Sequence, residues 1–225
     1  MINIYTENRR ERERAVDNGF IYPLFDTLIR ILCYINIIEL LKSITTKISN
    51  HILKNMTDDN KRNRIIRKNK NLTIDGFIVG KFLLIYILWK NDISNIFTLI
   101  SIWYLLIMNI FTYFYHHVWI QSAMLNMHLT MHRVRRRFIN LFISLFYMIV
   151  TYGYFYSIPY KLSFEAIGKI SYQDYFFYSI SNSFASSYDK IKPITNFGES
   201  LKLSQLIMVF IFITIILSRS VPEIK

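Results

Sequence analysis

Three groups of residues carry chemistry by type and spacing. Four of the five histidines, His116, His117, His128 and His132, fall within residues 116–137. His128 and His132 stand four apart, so on a helix they share one face and have a spacing that can hold a metal. A metal centre of the oxygenase type needs several more histidines with carboxylates close by, and this stretch has none. No catalysis, metal or other cofactor is therefore expected, and the histidines read as interfacial groups meeting lipid phosphates. The second group is the run Ser183-Phe184-Ala185-Ser186-Ser187-Tyr188-Asp189. It brings several hydroxyls and a single carboxylate together between apolar stretches, with Lys190 and Lys192 nearby to oppose the carboxylate's field. The third group is basic: Lys61, Arg62 and Arg64, with Arg67, Lys68 and Lys70, and then Arg133, Arg135, Arg136 and Arg137. These suit anionic lipid headgroups of a cytoplasmic leaflet.

Composition decides what must position these groups. The 225 residues are 52% hydrophobic and 16% aromatic, gathered in blocks, which points to a multi-span membrane protein. Cys33 stands alone, which excludes an internal disulfide framework and a cysteine-based zinc site. A net charge of +12 would suggest nucleic acid in a soluble protein, but here the placement of the charge offers another account. The start, MINIYTENRRERERAVDN, mixes both signs and reads as a solvated helix or tail rather than a secretory signal.

Along the chain, residues 1–71 form a cytoplasmic or interfacial N-terminal region. Within it, residues 19–41 carry Asp26 and Arg30 four apart, able to pair on one helical face, while Leu24, Leu28, Ile31, Ile35 and Ile38 form the other. Residues 72–115 supply the first pair of spans. The earlier of these contains Lys81, which faces the bundle or snorkels. Residues 116–137 read as an interfacial linker helix. Residues 138–219 hold an outer helix (138–156), a short amphiphilic helix (Tyr172 to Phe184), the polar run and a last span from about Leu201 to Leu217; 220–225 are a tail. With both termini inside, the segments 1–18, 42–71, 116–137 and 218–225 carry 4, 9, 4 and 2 basic residues, against six in the segments 90–92 and 157–202. That asymmetry orients four spans in the inner (plasma) membrane and explains most of the charge without nucleic acid. The fold class expected is thus an all-α, multi-pass membrane protein.

The order of short helix, polar loop and apolar helix resembles the pore domain of the two-helix potassium channel family of bacterial ion channels. That family reads as a YFS-type run, then T-V-G-Y-G-D, then P-T-T-x-x-G, then an apolar helix ending in S-R. This chain offers Phe177-Tyr178-Ser179, then Phe184-Ala185-Ser186-Ser187-Tyr188-Asp189, then Pro193-Ile194-Thr195-Asn196-Phe197-Gly198, and finally Ser218-Arg219. The resemblance implies a re-entrant pore helix and loop between the third and fourth spans, a homotetramer and passive conduction of inorganic cations. It also implies that Ser204, Met208 and Thr214, with Phe210 and Leu217, supply an inner-helix stripe lining the pore. The filter itself departs: Ser186 and Tyr188 stand where the family has glycines, and the last span has no mid-helix glycine. A potassium-type carbonyl stack is not supported, so the loop either conducts through another, less selective geometry or keeps the scaffold without conduction.

Two further readings stand beside conduction: a non-conducting channel-like scaffold or subunit, and a conditional effector that depolarises the membrane. The run Arg133-Val134-Arg135-Arg136-Arg137 lacks three-residue spacing through an apolar helix, so a voltage sensor is not indicated. The basic cluster 61–70 lacks aromatic stacking residues, which favours lipid over nucleic acid.

Overall fold

The computed structural model describes residues 19–119 and 131–217. The charged stretch 1–18, the linker centre with His128, and Ser218-Arg219 lie outside the described residues. The chain is mostly helical, 79%, and divides into two compact units, Met1–Ile74 and Asp75–Lys225.

In the first unit, α1 (Ile21–Ile35) and α2 (Ile37–Ile52) are separated by Asn36, whose extended backbone ends one helix while its side chain accepts from the Ile38 N–H to cap the next. Asp26 and Arg30 form the expected pair, 2.7 Å apart. Leu24, Leu28, Ile31 and Ile35 are exposed, and Ile38 is buried. α3 (Asp59–Lys90) begins in this unit and runs back along α2: Thr45 meets Thr73 at 2.9 Å, Asn69 donates to Ser49 at 3.0 Å, and Arg62 donates to Asn50 at 3.2 Å.

The second unit is built around α5 (Met131–Ser157). Every residue from Thr151 to Ser157 is buried, as expected of a helix covered on all sides. Phe82 of α3 sets its ring edge-on to Tyr147 at 5.5 Å. Trp103 of α4 (Ile96–Phe114) stacks on Phe155 at 4.8 Å and donates its indole N–H to the Tyr160 hydroxyl at 3.0 Å. α6 (Tyr172–Ser183) and α7 (Asn196–Ile211) cover the remaining sides. Lys81 is buried here, donating to Asn109 Oδ1 at 2.7 Å with its ammonium 4.4 Å from the centre of the Tyr147 ring. The Asn109 amide in turn bonds Ser144 of α5.

Among the described residues four helices are long and apolar enough to cross a membrane: Asp59–Lys90, Ile96–Phe114, Phe138–Ser157 and Asn196–Thr214. They point to a multi-pass membrane protein. Three expected boundaries move. α3 starts at Asp59, ahead of residue 72 where the first span was expected to begin, because nothing in its polar first half breaks a helix. α5 begins at Met131, so residues 131–137 of the expected linker belong to the same helix as the third span. The last helix starts at Asn196, capped by Thr195 accepting from the Gly198 N–H at 3.0 Å. The all-α expectation is corrected by one two-stranded antiparallel ribbon, β1 (Phe164–Ala166) with β2 (Ile191–Pro193), pairing Phe164 with Pro193 and Ala166 with Ile191.

Gly198 lets this ribbon close against α7. A Cβ there would sit 2.6 Å from the Ser163 carbonyl oxygen and 3.3 Å from Pro193 Cβ. The first obstacle is backbone and cannot swing aside, so Gly198→Ala is expected to cost about 1 to 3 kcal/mol. Thermal unfolding in detergent checks this, with Gly80→Ala, which lies inside α3 and meets nothing within 4 Å, as the control expected to unfold no earlier than the parent.

Candidate functional site

The segment between β1 and β2 leaves the ribbon, travels inward between helices and returns. Its outward leg is α6, started by a capping box in which the Ser171 side chain and the Asp174 carboxylate serve each other's backbone N–H groups. Tyr172 and Tyr175 share a cleft with Ser157 and Ile158 at the end of α5. One turn on, Phe176 Cα lies 3.4 Å from where a Cβ on Gly153 would be, and then the Ser179 hydroxyl donates to the Ile149 carbonyl at 2.7 Å. α6 therefore runs antiparallel to α5. Twelve residues make it about 18 Å long, too short to cross a hydrocarbon layer of about 30 Å.

Its last turn ends near the middle of both flanking spans. Ile149 lies eight residues, about 12 Å, from the end of α5 at Ser157, and Gln205 lies about 13 Å into α7. At that level a buried polar cluster joins the three helices. The Gln205 amide donates to the Ser179 carbonyl at 2.9 Å and to the Ser179 and Ser183 hydroxyls, both at 2.8 Å. Its Oε1 accepts from the Tyr156 hydroxyl at 2.7 Å and from the Asn182 amide at 2.8 Å.

The return leg begins as a helix cap. Ala185, at φ 53°, takes the left-handed conformation usually left to glycine, its N–H donates to Asn182 O at 3.0 Å, and the Ser186 N–H donates to Ser181 O at 2.9 Å. The two positions where the family pattern has glycine, Ser186 and Tyr188, keep negative φ, so the left-handed residue stands one place before the first of them. A turn from Tyr188 to Ile191 follows, closed by the Ile191 N–H donating to Tyr188 O at 3.3 Å. The chain is then back where it set out: the Tyr188 hydroxyl and the Lys190 ammonium both donate to Asp174 Oδ1, at 2.6 and 2.9 Å, and the Ile167 N–H donates to Lys190 O at 2.9 Å.

Of the residues singled out by sequence, Ser183 is buried in the Gln205 cluster. Phe184, Ala185, Ser186, Ser187 and Asp189 are exposed, and Tyr188 is half-buried against Asp174. Ser204 and Met208 are turned toward α5, both meeting the Tyr152 hydroxyl, while Thr214 is exposed and bonded back to Phe210 O. Leu203, Ile207 and Phe210 form the open stripe of α7. Lys61, Arg64 and Arg135 are exposed, and Arg136 pairs with Asp75 at 2.9 Å. The side chains of His117, His132, Arg133 and Arg137 lie outside the described residues. Among the described residues no three His, Cys, Asp or Glu side chains converge to hold a metal.

Asp174, Gln205 and Asn182 are the polar residues that sequence reasoning did not single out. Only Asp174 left a signal, as the N3 member of an S-x-x-D capping box. Its carboxylate is held well below the usual range, first by the Ser171 backbone N–H and then by Tyr188, Lys190 and the Ser171 hydroxyl, and the same contact raises Lys190. A depressed acid stabilises the fold above its unfolded pKa of about 3.9 and loses that contribution as pH falls through its folded value. The melting-temperature gap between wild type and Asp174→Asn is therefore expected to hold constant from pH 8 to about pH 5 and to close only below about pH 4. A gap that vanishes near pH 6 would contradict this assignment.

No family model matches the chain, and no curated protein or solved structure is significantly similar to it.

Proposed function

We propose that the protein passively conducts ions, and that four copies of the 183–189 segment surround a central constriction in a homotetramer. The observation that carries this reading is the excursion itself: a helix too short to span descends beside α5 and α7 to their midpoint, and the chain then returns to bond Asp174 in the first turn of that helix. In a bilayer such a path is a re-entrant loop, tolerated at that depth only where protein or a water-filled cavity covers its backbone. One chain supplies one such loop, so a ring of copies is needed to enclose a hole. The basic-residue asymmetry supports an orientation with both termini in the cytoplasm and the β1–β2 ribbon outside, in the plasma membrane. The permeant species is an inorganic cation drawn by Asp189, and the path is weakly selective because Ser186 and Tyr188 do not form the glycine-dependent carbonyl stack. The exposed stripe Leu203, Ile207 and Phe210 faces the pore or a neighbouring copy, where bulky apolar side chains gate by dewetting. Basic residues 61–70 and 133–137 contact anionic lipid.

The test is flux through the purified protein in liposomes, read with a potential-sensitive dye. Immediate depolarisation supports an open pore, and depolarisation only under a stimulus supports a conditional effector. A silent but tetrameric protein supports a scaffold, a reading favoured by the helix cap that ties Ser186 to Ser181. Asp189→Asn is expected to lower the cation-to-anion permeability ratio several-fold in bilayer recordings. Unchanged reversal potentials would remove Asp189 from the mouth.

A further inference from the structure

We infer that Asp174, which lies behind the loop rather than in the ion path, sets the charge of that path by holding Lys190 out of it; this rests on the pore reading above. Asp189 and Lys190 are neighbours at the corner of the turn Tyr188 to Ile191. Projected the same way, their opposite charges would cancel at the mouth. The structure separates them. The Lys190 ammonium turns back to Asp174 Oδ1 at 2.9 Å, beside the Tyr188 hydroxyl at 2.6 Å on the same oxygen. Asp174 is itself anchored, its Oδ2 accepting from the Ser171 N–H at 2.8 Å and the Ser171 hydroxyl at 2.9 Å. Its side chain is 11% exposed, against 56% for Lys190, so the lysine reaches inward to a fixed acid. Lys192, the other nearby cation, stands opposite Glu165 in the ribbon. Asp189 is exposed and makes no ion pair among the described residues. Each copy thus presents one unopposed carboxylate, although the turn carries one charge of each sign. Asp174 is a positioning residue, and the preference for cations follows from where it keeps Lys190.

Reconstituted wild type, Asp174→Asn, Lys190→Gln and the double variant would be compared by reversal potential in a sodium chloride gradient. Asp174→Asn frees four lysines around the axis and is expected to lower the sodium-to-chloride permeability ratio on the order of tenfold. The double variant returns the ratio to near the wild-type value. Lys190→Gln alone raises it, and this variant carries the test if Asp174→Asn does not fold. Equal shifts in Asp174→Asn and the double variant mean damage to the loop and overturn the proposal, as does no shift in either. A wild type that passes no ions removes the pore reading and the selectivity role with it. The hold on Lys190 is read separately by acylating the intact protein and comparing Lys190 with Lys192 by mass spectrometry. Several-fold faster labelling of Lys190 in Asp174→Asn supports the contact, and equal rates overturn it.

Discussion

Gln205→Leu is expected to lower stability by about 3 to 5 kcal/mol. Gln205 is fully buried, and all of its polar capacity is used: two serine hydroxyls, one main-chain carbonyl, one phenol and one amide. Leucine fills the space but leaves the Tyr156 hydroxyl proton without an acceptor, although its oxygen keeps the Asn182 amide at 3.3 Å and that amide keeps Lys202 O at 3.0 Å. A stranded buried donor costs about 1 to 3 kcal/mol beyond the other bonds lost. A lipid surround lessens the loss of each bond, since an unfolded helix there also finds partners. The orphaned donor nevertheless lies between helices, where lipid headgroups and water do not reach. Thermal unfolding of the purified protein in detergent checks the size. Ser204→Ala, which leaves the Tyr152 hydroxyl with Met208 Sδ as its acceptor and removes only a local bond to Leu201 O, is expected to fall within about 1 kcal/mol of the parent. If the two variants unfold alike, the cluster is not what joins α5, α6 and α7.

A comparable effect is expected at Asn109, with a contrast that identifies its cause. Asn109→Leu should cost about 3 kcal/mol, because it leaves the Lys81 ammonium buried with only aromatic faces around it. Lys81→Met should cost clearly less, because it removes the charge, keeps the volume and strands only the neutral Asn109 Oδ1, while the Asn109 amide nitrogen retains Ser144. Denaturation of both variants in the same detergent decides the matter. A Lys81→Met variant that loses as much as Asn109→Leu would show that the charge itself is needed for the helix packing.

These two clusters also mark where sequence reading stops. The aromatic, amphiphilic text from Tyr172 and its switch to polar text after Phe184 allowed α6 to be bounded within a residue of Tyr172–Ser183, while the capping box at Ser171 and Asp174 went unread. The long apolar blocks likewise announced helices, and the 26/30 spacing announced the Asp26–Arg30 pair. The start of α3 was not legible, because residues 61–70 are basic and hydropathy says nothing about whether a charged run stays helical. Lys81 was visible as an intramembrane charge, but its partner is 28 residues away and on another helix. Gln205 looks like one amide in an apolar run until the end of α6 is brought against it. Ser204 and Met208 have the spacing of a stripe, and spacing cannot say whether that stripe meets Tyr152 or open space.

The ribbon of β1 and β2 has a consequence for how the tip of the excursion can vary. Because its two strands pair with each other, residues 167–190 form a hairpin-like insert whose ends are clasped at one point. For a clasped insert, doubling its length costs only about 0.6 kcal/mol in chain entropy. Lengthening or rewriting Phe184 to Ser187, which are exposed, would strain neither the clasp nor the helices outside it. Such an insert is an interchangeable tip on a fixed mount, so its exposed residues can be re-engineered while the surrounding bundle is left as it is.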